Sequence, residues 1–162
     1  MTETIIARIL ERANRPDLQV DFSADPEVSK VIGDATRYEL ILRALLDNAI
    51  HYSNKAGKIS VLLNKQGDSV QLSVKDDGIG IPEEDLPKVF DRFYRGGNVG
   101  HTRGVGLGLS LVKRNMDIHG GTVRLNSRLN KYTEVICEFL ENGPEPPHRG
   151  GLLENVGDYN LV

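Results

Sequence analysis

Apolar residues near the start of the chain recur at helical spacing. Ile5, Ile6, Ile9 and Leu10 fall on one stripe, which predicts a helix over 2–13. The period then changes to two. Leu18, Val20 and Phe22 alternate with polar residues, so 17–22 reads as a strand, and Val31-Ile32 marks a weaker one. Asp34 is placed to cap a helix running to about Tyr52. Ile59, Val61 and Leu63 alternate, as do Val70, Leu72 and Val74, and the break Lys65-Gln66-Gly67-Asp68 makes them a hairpin. Pro82 followed by Glu83, Glu84 and Asp85 predicts a helical turn, because acids suit the positive end of a helix dipole. The pattern lapses over 95–104, which reads as a mobile loop. Helical spacing returns over 107–119 and is closed by Gly120-Gly121. A second hairpin pairs 122–127 with 132–140, with Val123, Leu125, Val135, Cys137 and Phe139 facing inward.

Hairpins and helices mix here without a regular βαβ alternation. The fold class is therefore α+β: a two-layer sandwich with one mainly antiparallel sheet packed under helices. The 162 residues fit a single domain. From Glu141 the composition shifts, and Gly143-Pro144-Glu145-Pro146-Pro147 cannot continue a strand. The expected division is a domain over 1–140 and a loosely ordered tail over 141–162.

Composition removes several classes of function. No apolar run approaches the ~20 residues of a membrane helix, and residues 1–14 carry no secretory signal. The expectation is a cytoplasmic domain without direct membrane contact. A net charge of −3 leaves no excess of Lys and Arg to neutralise phosphates, so nucleic acid is not an expected partner. The single cysteine, Cys137, excludes an internal disulfide framework and a cysteine-based zinc site.

Three constellations could carry chemistry. At 100° per residue Ile41, Ala44, Leu45, Asn48 and Tyr52 share a helix face, which puts the Asn48 amide inside an apolar stripe. Such an amide either bonds nearby backbone or turns its oxygen to a ligand, and that oxygen suits Mg²⁺. Next, Asp76-Asp77-Gly78-Ile79-Gly80-Ile81-Pro82 follows a predicted strand directly. It is either a plain Asp-Gly turn or a carboxylate beside backbone that a ligand can approach closely. Last, Gly104-Val105-Gly106-Leu107-Gly108-Leu109-Ser110 opens a helix, as a hinge or as an anion site built from free N–H groups. Its spacing fits neither G-x-G-x-x-G nor a P-loop.

The order of these segments is more telling than any one of them. Asn48, Asp76-x-Gly78-x-Gly80, Phe90-Asp91-Arg92-Phe93-Tyr94-Arg95 and Gly104-x-Gly106-x-Gly108 form a series. That series resembles the catalytic and ATP-binding domain of sensor histidine kinases, a branch of the GHKL superfamily. Leu45 to Ser53 is similar to the N box of that family, Asp76 to Pro82 to its G1 box, Phe90 to Arg95 to its F box, and Gly104 to Ser110 to its G2 box. His119-Gly120-Gly121 resembles a common family ending of the last helix. The likeness covers about residues 4–140.

The resemblance implies the Bergerat fold, a mixed sheet under three helices, and ATP and Mg²⁺ as cofactors. It implies that Asn48 ligates the metal and that Asp76 accepts from the adenine amino group. Gly78 and Gly80 would let adenine lie against backbone, and Tyr52 would border the nucleotide. His51 stands where the family often has Lys or Arg, with only partial charge near neutrality. Arg95 and Arg103 are candidates to clamp phosphates. Gly104, Gly106 and Gly108, with Leu107 among them, would offer N–H groups to the phosphates. Phe90 and Phe93 are read as packing residues.

Members of the superfamily that hydrolyse ATP resemble one another in a Glu one turn before the metal Asn. Here that position is Ala44, and Glu39 and Asp47 are read as turned away from the Asn48 face. Little hydrolysis is expected, and no catalytic residue is identified in the chain itself. None of His51, His101, His119 and His148 sits in a phosphoacceptor-like helix. The acceptor His, and the base assisting transfer, are expected on a separate dimerisation domain, with the Asp of a response regulator downstream. The isolated domain would be a monomer, and its parent an inner-membrane sensor. A regulatory nucleotide-binding module without kinase activity remains open, as does a serine kinase of the anti-sigma class, against which Ala44 speaks.

Overall fold

The alternating segments assemble into a five-stranded sheet, and the helical segments lie on one side of it. The computed structural model describes residues 1–28, 30–97, 106–140 and 156–161. In chain order the elements are α1 (Thr2–Ala13), β1 (Gln19–Ala24), β2 (Lys30–Asp34), α2 (Ala35–Tyr52), β3 (Lys58–Gln66), β4 (Ser69–Asp76), a 3₁₀ helix (Glu83–Lys88), α3 (Gly108–Ile118), β5 (Thr122–Arg128), β6 (Tyr132–Leu140) and β7 (Val156–Asn160). The large sheet runs β1-β3-β4-β6-β5. Only the β1–β3 pair is parallel, so the sheet is mixed and mainly antiparallel, as the expected sandwich requires. The β3–β4 turn is tighter than the sequence break suggests: Lys65 and Gln66 still pair with Val70 and Ser69, leaving Gly67, at φ 58°, and Asp68 as the turn.

One face of the sheet is buried and supplies half of the core. Ile59, Val61 and Leu63 from β3, Val70, Leu72 and Val74 from β4, and Val135, Cys137 and Phe139 from β6 meet Ile41, Leu42, Leu45 and Leu46 of α2. Val112 and Met116 of α3 and Ile5, Ile6 and Ile9 of α1 complete it. Val123 and Leu125 pack against this cluster from the half-buried edge strand β5. The polar face carries cross-strand bonds instead, from Ser69 Oγ to Glu138 (2.8 Å) and Ser73 Oγ to Glu134 (3.0 Å). Among the described residues no helix is long and apolar enough to cross a membrane.

Of the tail expected over 141–162, residues 156–161 are described, and they are paired and packed. β7 pairs antiparallel with β2 as a separate two-stranded sheet, from Lys30↔Asn160 to Asp34↔Val156. Leu161 is fully buried. Its carbonyl accepts from the Thr2 N–H (3.1 Å) and the Thr2 hydroxyl, which also bonds the Tyr38 hydroxyl (2.9 Å). The two ends of the chain are thus tied together over α2. Residues 141–155 lie outside the described residues, as do 98–105 of the expected mobile loop.

His119 closes α3 and is buried against Phe139, with ring centroids 5.7 Å apart. Its Nε2 accepts from the Asp34 N–H (3.2 Å), so Nδ1 carries the proton and donates to the Asn115 carbonyl (2.9 Å). Burial holds its pKa below the ordinary histidine value. The unfolded chain therefore takes up a proton first as the pH falls, and folding stability drops with it. Urea unfolding should show wild type losing stability more steeply than His119→Gln between about pH 7 and pH 5.5. Parallel slopes would remove His119 from this role.

Candidate active site

α2 carries the first group of site residues. Its N-terminus is capped by the Asp34 carboxylate, which accepts from Thr36 N (2.9 Å) and Arg37 N (3.2 Å). Its last turn is held by Arg15, whose guanidinium donates to the carbonyls of Ile50 and Asn54, both at 3.2 Å. Between these anchors the stripe of Ile41, Ala44 and Leu45 is buried in the core, and Asn48 continues it into a cavity, half-buried. No hydrogen bond among the described residues engages the Asn48 amide, which removes the reading of a backbone-bonded core amide. Tyr52 also lines the cavity, with the exposed His51 ring edge-on to it at 4.8 Å.

β4 ends at Asp76, where the chain leaves the sheet beneath the same cavity. Asp76 is only 6% exposed, and its Oδ1 accepts from the Gly78 N–H (2.9 Å). No side chain among the described residues hydrogen-bonds the Asp76 carboxylate. Burial, with Asp77 adding repulsion, pushes its carboxyl up to about 6. Asp77 plays a different part: it accepts from Lys58 N (2.9 Å) and fastens the loop to β3. Gly78 and Gly80 are required by space. A Cβ on Gly78 would lie 2.1 Å from the Tyr52 carbonyl oxygen, and one on Gly80, at φ +63°, would lie 2.2 Å from the Arg128 carbonyl oxygen. The loop is pinned between the end of α2 and the β5–β6 turn, with Ile79 N bonding Tyr52 O (3.2 Å) and Asn130 N bonding Ile79 O (2.7 Å).

The remaining walls come from the segment after the 3₁₀ helix and from the start of α3. Phe93 takes φ 64° and its N–H donates to the Gly106 carbonyl (2.9 Å). Gly106 itself is at φ +72°, and a Cβ there would lie 2.6 Å from the Tyr94 carbonyl oxygen. A Cβ on Gly108 would lie 2.9 Å from Asn48 Oδ1, so the start of α3 packs directly on that amide. The N-cap residue of α3, Leu107, makes no side-chain cap bond, and among the described residues no side chain bonds its first N–H groups, which suits an anion.

Together these elements enclose a cavity of about 430 Å³. Of the residues singled out in the sequence, Asn48, His51, Tyr52, Asp76, Gly80, Arg95, Gly106, Leu107 and Gly108 line it. Gly78 stands behind the wall, against Tyr52. Arg103 and Gly104 lie outside the described residues. Two readings change. Asp47, expected to turn away, lines the cavity while staying exposed, and partial desolvation raises its pKa. Phe93, expected to pack, is 67% exposed, because its left-handed backbone turns it outward while Val89 is buried instead. Glu39 does face away, bonded to Arg8 (2.7 Å). Ile79 and Tyr94, which the sequence presents only as members of their motifs, also line the cavity, as does Thr133, which no motif contains. Thr133 faces Asp76 across the β4–β6 register, a signal that only strand pairing supplies.

The geometry agrees with the relatives. Residues 33–143 match the family of histidine kinase-, DNA gyrase B-, and HSP90-like ATPases. The sensor histidine kinase YkoH of Bacillus subtilis is 41% identical over 119 residues, 72% of this chain and 26% of YkoH. The structure of the mycobacterial sensor histidine kinase MprB superposes with a TM-score of 0.76 at 30% identity, covering 90% of this chain and 97% of that one. The nucleotide-free catalytic domain of the histidine kinase ThkA gives 0.75 at 29% identity, covering 90% and 92%. The chain spans between 21% and 32% of the length of the curated relatives it matches. A mixed sheet under three helices, with this cavity between α2, β4 and α3, places the chain in the family of histidine kinase-, DNA gyrase B-, and HSP90-like ATPases, as an ATP-binding catalytic domain of the sensor histidine kinase kind.

Proposed function

We propose that this chain binds ATP in the α2–β4–α3 cavity and presents its γ-phosphate to a histidine on a separate domain, from which the phosphoryl group passes to a response-regulator Asp. The observation that carries this reading is the pairing, in one cavity, of a buried carboxylate and an unpartnered amide: Asp76 and Asn48. Asp76 accepts from the adenine amino group, which guanine lacks at that position. Gly80 and Ile79 let the ring lie close to backbone, and Thr133 stands beside it on β6. The phosphates lie at the start of α3, where Gly106 and Gly108 leave backbone N–H groups open and Arg95 stands nearby. Arg103, His51 and Gly104 complete the phosphate set in this reading.

The Asn48 oxygen is a suitable donor for Mg²⁺, and the absence of a carboxylate cage among the described residues suits an ion that keeps waters and phosphate oxygens as its other ligands. Such an ion would neutralise phosphate charge. The protein contributes orientation: Asn48 and the α3 N-terminus fix the phosphate chain and leave its γ end open to the acceptor. Ala44, buried one turn before Asn48, offers no base, so hydrolysis by the isolated chain is slow. The isolated domain is a monomer in this reading.

Calorimetric titration with a non-hydrolysable ATP analogue, with and without Mg²⁺ and against a GTP control, tests it. Asn48→Ala should abolish the gain in affinity that Mg²⁺ gives wild type, and leave adenosine binding intact. Equal losses of adenosine and of Mg²⁺-dependent binding in that variant would refute separate roles for Asn48 and Asp76.

A further inference from the structure

We propose that Asp85 is a positioning residue for phosphate binding, a latch that fixes the cavity wall formed by Tyr94, Arg95 and Gly96. This rests on the nucleotide reading above. Asp85 sits in the 3₁₀ helix Glu83–Lys88, outside the cavity lining. Its two carboxylate oxygens go to different places on one short segment. Oδ1 accepts from the Tyr94 hydroxyl at 2.5 Å, and Oδ2 accepts from the Gly97 N–H at 3.0 Å. The bonds bracket residues 94–97, so one side chain holds both ends of the stretch that contains Arg95 and Gly96.

The same segment is anchored on its other side by the start of α3. The Phe93 N–H donates to the Gly106 carbonyl (2.9 Å), and the Tyr94 carbonyl oxygen lies 2.6 Å from where a Cβ on Gly106 would be. Residues 93 and 94 therefore stand against the segment that opens α3, where the proposed reading puts the phosphates. The carboxylate is charged as it does this: the Tyr94 hydroxyl and Gly97 amide hold its pKa below the ordinary value. The phenol is correspondingly pushed up to about 12 and stays a donor at physiological pH. A charge-assisted bond from a phenol and one from a backbone amide give the wall a defined position that a three-glycine neighbourhood (Gly96, Gly97, Gly106) would not hold alone.

The test separates phosphate-dependent from adenine-dependent binding. Affinities for adenosine and for a non-hydrolysable ATP analogue with Mg²⁺ are measured in wild type, Asp85→Ala, Asp85→Asn and Tyr94→Phe. Asp85→Ala should lower affinity for the ATP analogue about tenfold, the size of one charge-assisted hydrogen bond, with adenosine affinity and melting temperature unchanged. Asp85→Asn keeps an acceptor for Tyr94 and should recover part of that loss. Tyr94→Phe should show the same selective loss, and the double variant should lose less than the sum of the two single changes. Equal losses for adenosine and the ATP analogue, or no loss for either, would overturn the latch while leaving the nucleotide site standing. Failure of wild type to bind either ligand would overturn the nucleotide reading itself, and the latch with it.

Discussion

Asp76→Asn is expected to weaken adenosine binding by roughly tenfold to a hundredfold, the range for loss of one buried charged acceptor, and to raise the melting temperature. The two effects share one cause. Asp76 is buried, its carboxylate held only by backbone N–H groups such as that of Gly78, and its carboxyl is pushed up to about 6. At neutral pH the empty fold thus carries a charge that the unfolded chain would hold more cheaply in water. A shift of this size corresponds to roughly 3 kcal/mol of destabilisation, at about 1.4 kcal/mol per pKa unit. The sign fixes the pH window. The folded state keeps its proton longer than the unfolded state does, so this contribution to stability falls as pH rises from about 4 to about 6 and is level above that. Adenosine, which has no phosphates to titrate, should bind wild type less well as pH drops through about 6. A flat profile, or a variant that binds as well as wild type, would remove Asp76 from the adenine contact.

Gly80→Ala is expected to destabilise the fold strongly, because strain and clash coincide there. Gly80 has φ +63°, and its Cβ would sit 2.2 Å from the Arg128 carbonyl oxygen and 2.9 Å from Leu129 Cα. Neither neighbour is a flexible side chain end. The expected loss of unfolding free energy is about 2–4 kcal/mol, from left-handed strain together with the backbone clash. Affinity for nucleotide should fall too, because Ile79 and Ile81 on either side line the cavity. Gly67→Ala supplies the control. Gly67 has φ +58° but nothing within 4 Å, so its substitution carries strain without the clash and should cost about 1 kcal/mol. Chemical denaturation of both variants checks the difference. Equal losses would mean that strain alone accounts for Gly80.

Residues of the candidate site were legible where their type is unusual for their local pattern. Asn48 interrupts an apolar helix stripe, and Asp76 stands at the end of an alternating strand before two glycines. Such breaks are visible because periodicity is a local property. The strand over β7 was not legible for the same reason. Val156-Gly157-Asp158-Tyr159-Asn160 is poor in strand formers, and its order rests on backbone pairing with β2, more than 120 residues away in the chain. Asp47 was misplaced because an ideal helical wheel assigns a direction to each residue but not the shape of the neighbouring surface. At the rim, α2 meets the cavity broadly enough to take in a residue 100° from Asn48.

The sequence by itself determined the alternation of elements, the buried face of each, the Asp34 cap, and most of the residues that line the cavity on α2, after β4 and at the start of α3. These follow from side-chain chemistry and spacing within a few turns or strands. Tertiary structure alone decided which distant residues complete the site. Thr133 joins Asp76 through strand register, the start of α3 comes to rest on the Asn48 amide, and Asp85 reaches across to Tyr94 and Gly97. It also decided that the end of the chain returns to Thr2. Backbone pairing and close approach carry little side-chain signature, so they become visible only when the chain is folded.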